Sequence, residues 1–290
     1  MIYLALSILS SVIIFVTFKL FSRFRIHIIH AIVVNYIVAC SCGLFFYEEA
    51  VSITQLVSYG WFYYTLALGT LFILVFNLMA VTTQRSGLSV VSVATKMSVV
   101  IPIIFGLVYY KESFGLLKAI GIFLALMAVY LASIKSKDGL AIRTKDLIFP
   151  FLVFVGSGII DTSIKYLENS FVAENDVPLF SAIIFGSAAG LGLLFLSYEA
   201  LRGKFVFQIK NVIGGIALGI PNYFSIYFLV KALRSDMLDS SGIFTVNNVA
   251  IVMISTLIGI ILFKEKLLPK NWLGIILAVI SIILVTLSGI

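Results

Sequence analysis

Long apolar runs, separated by short charged or turn-forming stretches, make up nearly the whole chain. They fall at about 2–18, 27–46, 59–81, 88–110, 115–134, 147–164, 178–198, 212–230, 241–263 and 271–288. Each approaches the ~20 residues a helix needs to cross the hydrocarbon core of a bilayer. None alternates polar and apolar positions, and each is about twice the ~10 residues of a barrel strand, which excludes a transmembrane β-barrel. The pattern predicts an all-α integral membrane protein with ten transmembrane helices. The first run has no basic segment before it of the kind that opens a signal peptide, so Ile2 to Phe18 reads as a retained first span.

Composition narrows the class. Of 290 residues, 61% are hydrophobic and 11% charged, with mean hydropathy +1.16. A soluble domain carries about 25% charged residues, so a soluble enzyme, a disordered regulator and a nucleic-acid binder all fit poorly. The net charge of +7 is spread over short loops, which suits a membrane surface better than nucleic acid. Ten spans use about 200 residues and leave about 90 for connections and tails, too few for a further domain. The expected partners are the lipid bilayer and a small-molecule substrate, for a monomer or homodimer in the cell (cytoplasmic) membrane.

The two halves repeat each other. The longest connection, Lys135 to Asp146, divides the chain into 1–138 and 139–290. Sliding 88–134 onto 241–287, a shift of 153 without a gap, places Lys111-Glu112 on Lys264-Glu265. It also places Gly106 on Gly259, Gly121-Ile122 on Gly274-Ile275, and Leu124-Ala125 on Leu277-Ala278. At a shift of 146, residues 10–19 match 156–165. Five spans per copy is odd, so the second copy must cross the membrane upside down. Two inverted five-helix repeats are an architecture of secondary transporters, with the substrate site near the midplane between them.

With these features the sequence resembles the EamA-like branch of the drug/metabolite transporter superfamily along essentially its whole length, most strongly over 86–134 and 239–288. The resemblance implies a carrier of small metabolites, often an exporter. It also implies a central cavity lined by the third, fourth, eighth and ninth spans, with the first and sixth contributing and the fifth and tenth serving as scaffold. Small multidrug pumps, distant relatives, carry a membrane glutamate eight residues before a lysine. Here Ser11 and Ser157 stand at that distance before Lys19 and Lys165, and neither serine titrates. The resemblance therefore does not carry that proton-exchange mechanism over.

Polar residues inside the spans mark candidate chemistry, because a charge at a helix centre costs roughly 2.5–3.5 kcal/mol on insertion scales. Lys96 lies about 12 Å below the surface, counted from Leu88 at 1.5 Å per residue. It reads as a cationic anchor for an anionic group, or as a lysine snorkelling to the headgroups. Thr95 beside it adds a hydroxyl. In the repeat alignment Ala94 and Thr95 face Asn247 and Asn248, amides that need a ligand or a neighbouring helix as partner. Asp161 reads as a coupling-ion or proton site or a partner for a substrate amine, or as a carboxylate near a span end paired with Lys165 at i,i+4. Depths counted from opposite faces leave about 12 Å between Lys96 and Asp161, too far for a direct bridge. Asn77, Asn222 and Tyr223 are further candidates for substrate binding. Asn222 and Tyr223 follow Pro221, which bends the eighth span, as Pro102 does the fourth.

Gly121-x-x-x-Ala125 and Gly274-x-x-x-Ala278 read as packing or dimer surface. Cys40 and Cys42 point to opposite helix sides and neither bridge nor share a metal. His27 and His30 share a face but have no third ligand near in sequence, and no metal is expected. There is no Walker loop, H-E-x-x-H or G-x-S-x-G, so neither ATP hydrolysis nor intramembrane catalysis is expected, and no cofactor beyond a proton or sodium gradient. The leading expectation is an alternating-access carrier of a small polar metabolite. The alternatives are an exporter of lipophilic or aromatic cations and a non-transporting scaffold or sensor.

Orientation follows from basic residues. Odd-numbered loops hold 14 Lys and Arg against 5 in even-numbered loops, which puts the odd loops in the cytoplasm and both termini outside. The resemblance implies termini inside. The charge count predicts that a C-terminal alkaline-phosphatase fusion is active and a C-terminal fluorescent-protein fusion dark; the reverse pair of results reverses the topology.

Overall fold

A helix satisfies its own backbone hydrogen bonds away from water within a single segment, and helix accounts for nearly all of the described residues. A computed structural model describes residues 1–47, 52–86, 94–96, 98, 100–109, 111, 115–133, 148–235, 238–263 and 269–288. The long helices are α1 (Ile2–Phe24), α2 (Ile28–Phe45), α3 (Phe62–Ser86), α4 (Val100–Tyr109), α5 (Leu116–Ser133), α6 (Ile148–Phe171), α7 (Val177–Leu201), α8 (Ile209–Leu233), α9 (Ser240–Phe263) and α10 (Pro269–Ser288). A short helix, Ile53–Ser58, precedes α3 and opens on a capping box made by Ser52 and Gln55. A helical turn, 94–96, precedes α4. No strand occurs among the described residues.

The apolar runs locate these helices well, with two corrections. Lys19 and Lys165 do not end their helices: α1 continues to Phe24 and α6 to Phe171. Lysine is a good helix former, and charge alone does not stop a backbone; α1 stops where Arg25 turns left-handed at φ 50°. Among the described residues, six stretches are long and apolar enough to cross a membrane: Ile2–Phe24, Ile28–Phe45, Phe62–Thr82, Val177–Leu201, Ile209–Leu233 and Gly242–Phe263. The chain is thus a multi-helix, all-α membrane protein. The Lys135–Asp146 connection lies outside the described residues, as do Glu112, Lys264 and Glu265.

Neighbouring helices close a ring. α1 lies along α8 and α9, α2 along α8 and α7, α3 along α7 and α6, and α4 along α6 and α9. α5 and α10 lie along each other, outside this ring and against α9. There the Ser281 hydroxyl donates to the Gly121 carbonyl at 2.7 Å, so this small-residue face serves packing within the chain. The largest apolar cluster joins α2, α3, α6 and α7 around Tyr36, Phe72, Phe180 and Phe185. A second joins α1, α8 and α9 around Val12, Phe15 and Phe244.

Lipid offers no hydrophobic drive to bring helices together, so close backbone approach matters. At Gly219 of α8 an added Cβ would meet the Asn35 carbonyl oxygen at 2.7 Å and the Val38 Cβ at 2.8 Å. At Gly190 of α7 it would meet nothing within 4 Å. Gly219→Ala should therefore push α8 off α2 at a cost of about 1–3 kcal/mol, read as a lower melting temperature in detergent. Gly190→Ala should leave that temperature unchanged or raise it slightly through its better helix propensity.

Candidate functional site

A cavity of about 140 Å³ lies between α1, α3, the 94–96 turn, α6, α8 and α9. α1 contributes Ser7, Ser11, Ile14 and Phe15, and α3 contributes Phe72, Val75, Phe76 and Met79. The turn contributes Thr95 and Lys96, and α6 contributes Ser157, Ile160, Asp161 and Ile164. α8 adds Asn222, Ser225, Ile226 and Leu229, and α9 adds Phe244, Asn247 and Asn248. The spacing within α3, α6 and α8 is the i, i+3, i+4, i+7 of one helix face, so each turns a single stripe inward.

Lys96 is 8% exposed. Its Nζ donates to Asn248 Oδ1 at 3.1 Å and lies 5.5 Å from the Phe15 ring centroid. An ammonium has three donors, and the described residues engage one in a hydrogen bond. Asn247 Oδ1 and Asn248 Nδ2 are buried with no hydrogen-bond partner among the described residues. Asp161, half-buried, faces the same cavity and makes no hydrogen bond or ion pair among the described residues. α6 runs on past both Asp161 and Lys165, to Phe171. Lys96 and Asp161 do not bridge each other, yet they border one cavity.

The structure brings Lys96, Thr95, Asn247, Asn248, Asn222 and Asp161 to this cavity. It does not bring Asn77 or Tyr223. Asn77 donates to the Ile73 carbonyl at 2.7 Å and borders a separate small cavity beside Ile32 and Gly192. Tyr223 is fully buried between Phe46 and Tyr227, with ring centroids at 6.1 and 5.7 Å. Its sequence neighbour Asn222 faces inward because adjacent helical positions point about 100° apart. Asn222 Nδ2 donates to Asn35 Oδ1 at 3.1 Å, tying α8 to α2. Pro221 lies inside α8, whereas Pro102 falls in the first turn of α4, where proline disturbs little.

The serines of the lining were missed as candidates. Ser7 Oγ donates to the Ser225 carbonyl at 2.9 Å and Ser225 Oγ to the Asn222 carbonyl at 2.8 Å. Serine also looks after its own helix, so its presence in an apolar run says little. Also missed were ion pairs at the end of the bundle where α6 and α8 finish and α5 and α9 begin. Arg234 Nε donates to Glu168 Oε1, and Nη2 to the Val172 carbonyl at 2.6 Å. Lys118 pairs with Asp239. At the opposite end His30 Nε2 lies 3.2 Å from Glu199 Oε2, with His27 stacked beside it at 4.1 Å between ring centroids. Burial, helped by His30, holds His27 below the ordinary imidazole value. Among the described residues no three His, Cys, Asp or Glu side chains are placed to hold a metal ion.

No family model matches the chain. It is 29% identical over 284 residues to an uncharacterised protein of Haemophilus influenzae, covering 96% of this chain and 95% of that protein. A protein of solved crystal structure shares the fold, with TM-score 0.72 over 99% of this chain and 97% of its own, at 10% identity. That likeness is one of fold alone.

Among the described residues Glu168 is held by a single cation, Arg234. Arg234→Ala should strand a buried carboxylate and cost about 3 kcal/mol, while Glu168→Gln keeps an acceptor for the guanidinium and costs less. Thermal unfolding in detergent checks the order of the two variants.

Proposed function

We propose that the protein is a secondary carrier of the EamA-like drug/metabolite transporter type, moving a small polar metabolite across the cytoplasmic membrane. The observation that carries this reading is the cavity with Lys96, Asp161 and two incompletely bonded asparagines on its wall. Such groups are costly in a membrane and earn their place where a solute or ion passes.

The proposal includes ten spans in two inverted repeats. Its support is a symmetry of neighbours: exchanging each helix for the one five later turns α1–α8 into α6–α3, α2–α8 into α7–α3, and α1–α9 into α6–α4. The pairs α2–α7, α4–α9 and α5–α10 map onto themselves. The lining follows the same rule. Phe72, Val75, Phe76 and Met79 stand against Asn222, Ser225, Ile226 and Leu229 at one constant shift. Ser11, Ile14 and Phe15 stand against Ser157, Ile160 and Asp161 in the same way. A pseudo-two-fold axis through the cavity accounts for both sets, and rocking of one half against the other would expose the cavity to each side in turn.

Cavity size weighs against the main rival, an exporter of lipophilic cations: about 140 Å³ is below the ~300–1,000 Å³ of a drug-sized site. A buried lysine also opposes a cationic ligand. A scaffold or sensor has no need of a charged hollow.

Counterflow in proteoliposomes with a metabolite mixture, with and without pH and sodium gradients, tests the reading. The expected result is exchange of at least one small polar solute, lowered about tenfold or more by Lys96→Ala, the size expected for loss of a charged hydrogen bond. Absence of exchange for every solute would overturn the carrier.

A further inference from the structure

Basic side chains at a protein surface are answered by carboxylates of the same protein or left for a partner, and the two ends of this bundle differ in that respect. Where α6 and α8 finish, Arg234 meets Glu168 and Lys118 meets Asp239. At the other end the α1–α2 and α7–α8 connections bring Arg23, Arg25, Arg202 and Lys204, all exposed and none in an ion pair among the described residues. Glu199, in the last turn of α7, is engaged by His30.

The two connections form one surface because they are joined through their side chains. The His27 N–H donates to Asn211 Oδ1 at 2.9 Å, and His30 Nε2 lies 3.2 Å from Glu199 Oε2. The His30 ring also lies 5.1 Å from that of Phe205. Arg25 stands two residues before His27, and Arg202 and Lys204 stand just before Phe205. One connection comes from each half of the chain, so a ligand that touches both joins the halves at this end.

Apolar side chains are mixed with these bases. Four of the five residues 205–209 are apolar, and all four are exposed, Phe207 at 68%. Phe24, also exposed, stands between Arg23 and Arg25. α7 and α8 have 25 residues each, more than the ~20 that cross the hydrocarbon, so their connection lies at headgroup depth. Basic residues beside exposed apolar ones are the composition of a segment that lies in the membrane interface.

A soluble anion would answer the bases and leave the apolar side chains in water. A zwitterionic lipid would cover the apolar side chains and bring its own cation among the bases. An anionic phospholipid does neither. We propose that the α1–α2 and α7–α8 connections bind the headgroup of an anionic phospholipid, its phosphate among Arg25, Arg202 and Lys204 and its acyl chains against Phe205, Val206, Phe207 and Ile209. Guanidinium groups suit a phosphate because two parallel N–H donors match two of its oxygens. The charge count places this end at the cytoplasmic leaflet, where anionic lipid is concentrated. The site is independent of what the central cavity carries.

Native mass spectrometry of the purified full-length protein tests this, with phosphatidylglycerol and phosphatidylcholine of identical acyl chains supplied in equal amounts. The wild type should retain phosphatidylglycerol about tenfold or more over phosphatidylcholine. Arg25→Gln, Arg202→Gln and Lys204→Gln should each lower that preference about fivefold, the size one basic residue contributes at an anionic surface. Lys111→Gln removes the same charge from an exposed residue between α4 and α5 and should leave the preference unchanged. Millimolar inorganic phosphate should not displace the bound lipid. Equal retention of the two lipids by the wild type overturns the proposal whatever the variants do. An equal loss in Lys111→Gln also overturns it, because the preference would then follow net charge and not a site. Displacement by inorganic phosphate assigns the bases to a soluble anion and overturns the lipid.

Discussion

An ammonium group shut inside a bundle of apolar helices must be answered, and the way this protein answers Lys96 governs how its centre is built. One hydrogen bond from Asn248 and the face of Phe15 are the partial answer. Neither supplies the full set of acceptors that water would. The carboxylate of Asp161 stands on the wall of the same cavity. Five helical elements turn polar side chains toward this cavity, and α3 turns an apolar stripe. The ring of helices is the arrangement that allows it, with α5 and α10 held outside where no polar face is needed.

Polar groups elsewhere in the bundle behave differently, and the contrast separates glue from site. Asn222 meets Asn35, Ser7 meets Ser225, and Arg234 meets both Glu168 and Val172. These contacts finish within the protein and fix helices to one another. Asn222 does both, spending its amide on Asn35 while bordering the cavity, so its role there is to position α8. Lys96, Asp161, Asn247 and Asn248 keep hydrogen-bonding capacity that the described residues do not use. A polar side chain in a span is thus no marker of a site by itself; what marks it is the capacity left over.

Much of the fold was legible because a membrane imposes a length on every apolar run, and the helices begin and end close to where the runs do. Four residues show where the signal stops. Lys19 and Lys165 looked like span ends because they carry charge, but helix and span are different things and the backbone continues through both. Asn77 and Tyr223 looked like Asn222 in one dimension. A span apolar on every side has almost no directional pattern from which to read which face turns inward, and α2 and α7 illustrate this with apolar residues all round. Counting depth from the two surfaces kept Lys96 and Asp161 apart along the membrane normal. It could not register that both lean into one enclosed space.

The two walls of that space differ in kind. α3 offers Phe72, Val75, Phe76 and Met79, while α8 offers Asn222 and Ser225 at matching places. On the inverted-repeat reading these helices descend from one ancestral helix, so the difference is divergence at equivalent positions. Charge has diverged likewise: Asp161 stands where α1 has Phe15, and Lys96 aligns with Val249. A symmetrical cavity would recognise a symmetrical ligand or two copies of one. Lys96 and Asp161 give this cavity charges of opposite sign, and its apolar surface comes from α1, α3, α6, α8 and α9. On the carrier reading, the pseudo-symmetry belongs to the motion, which needs two equivalent end states, and the asymmetry to recognition.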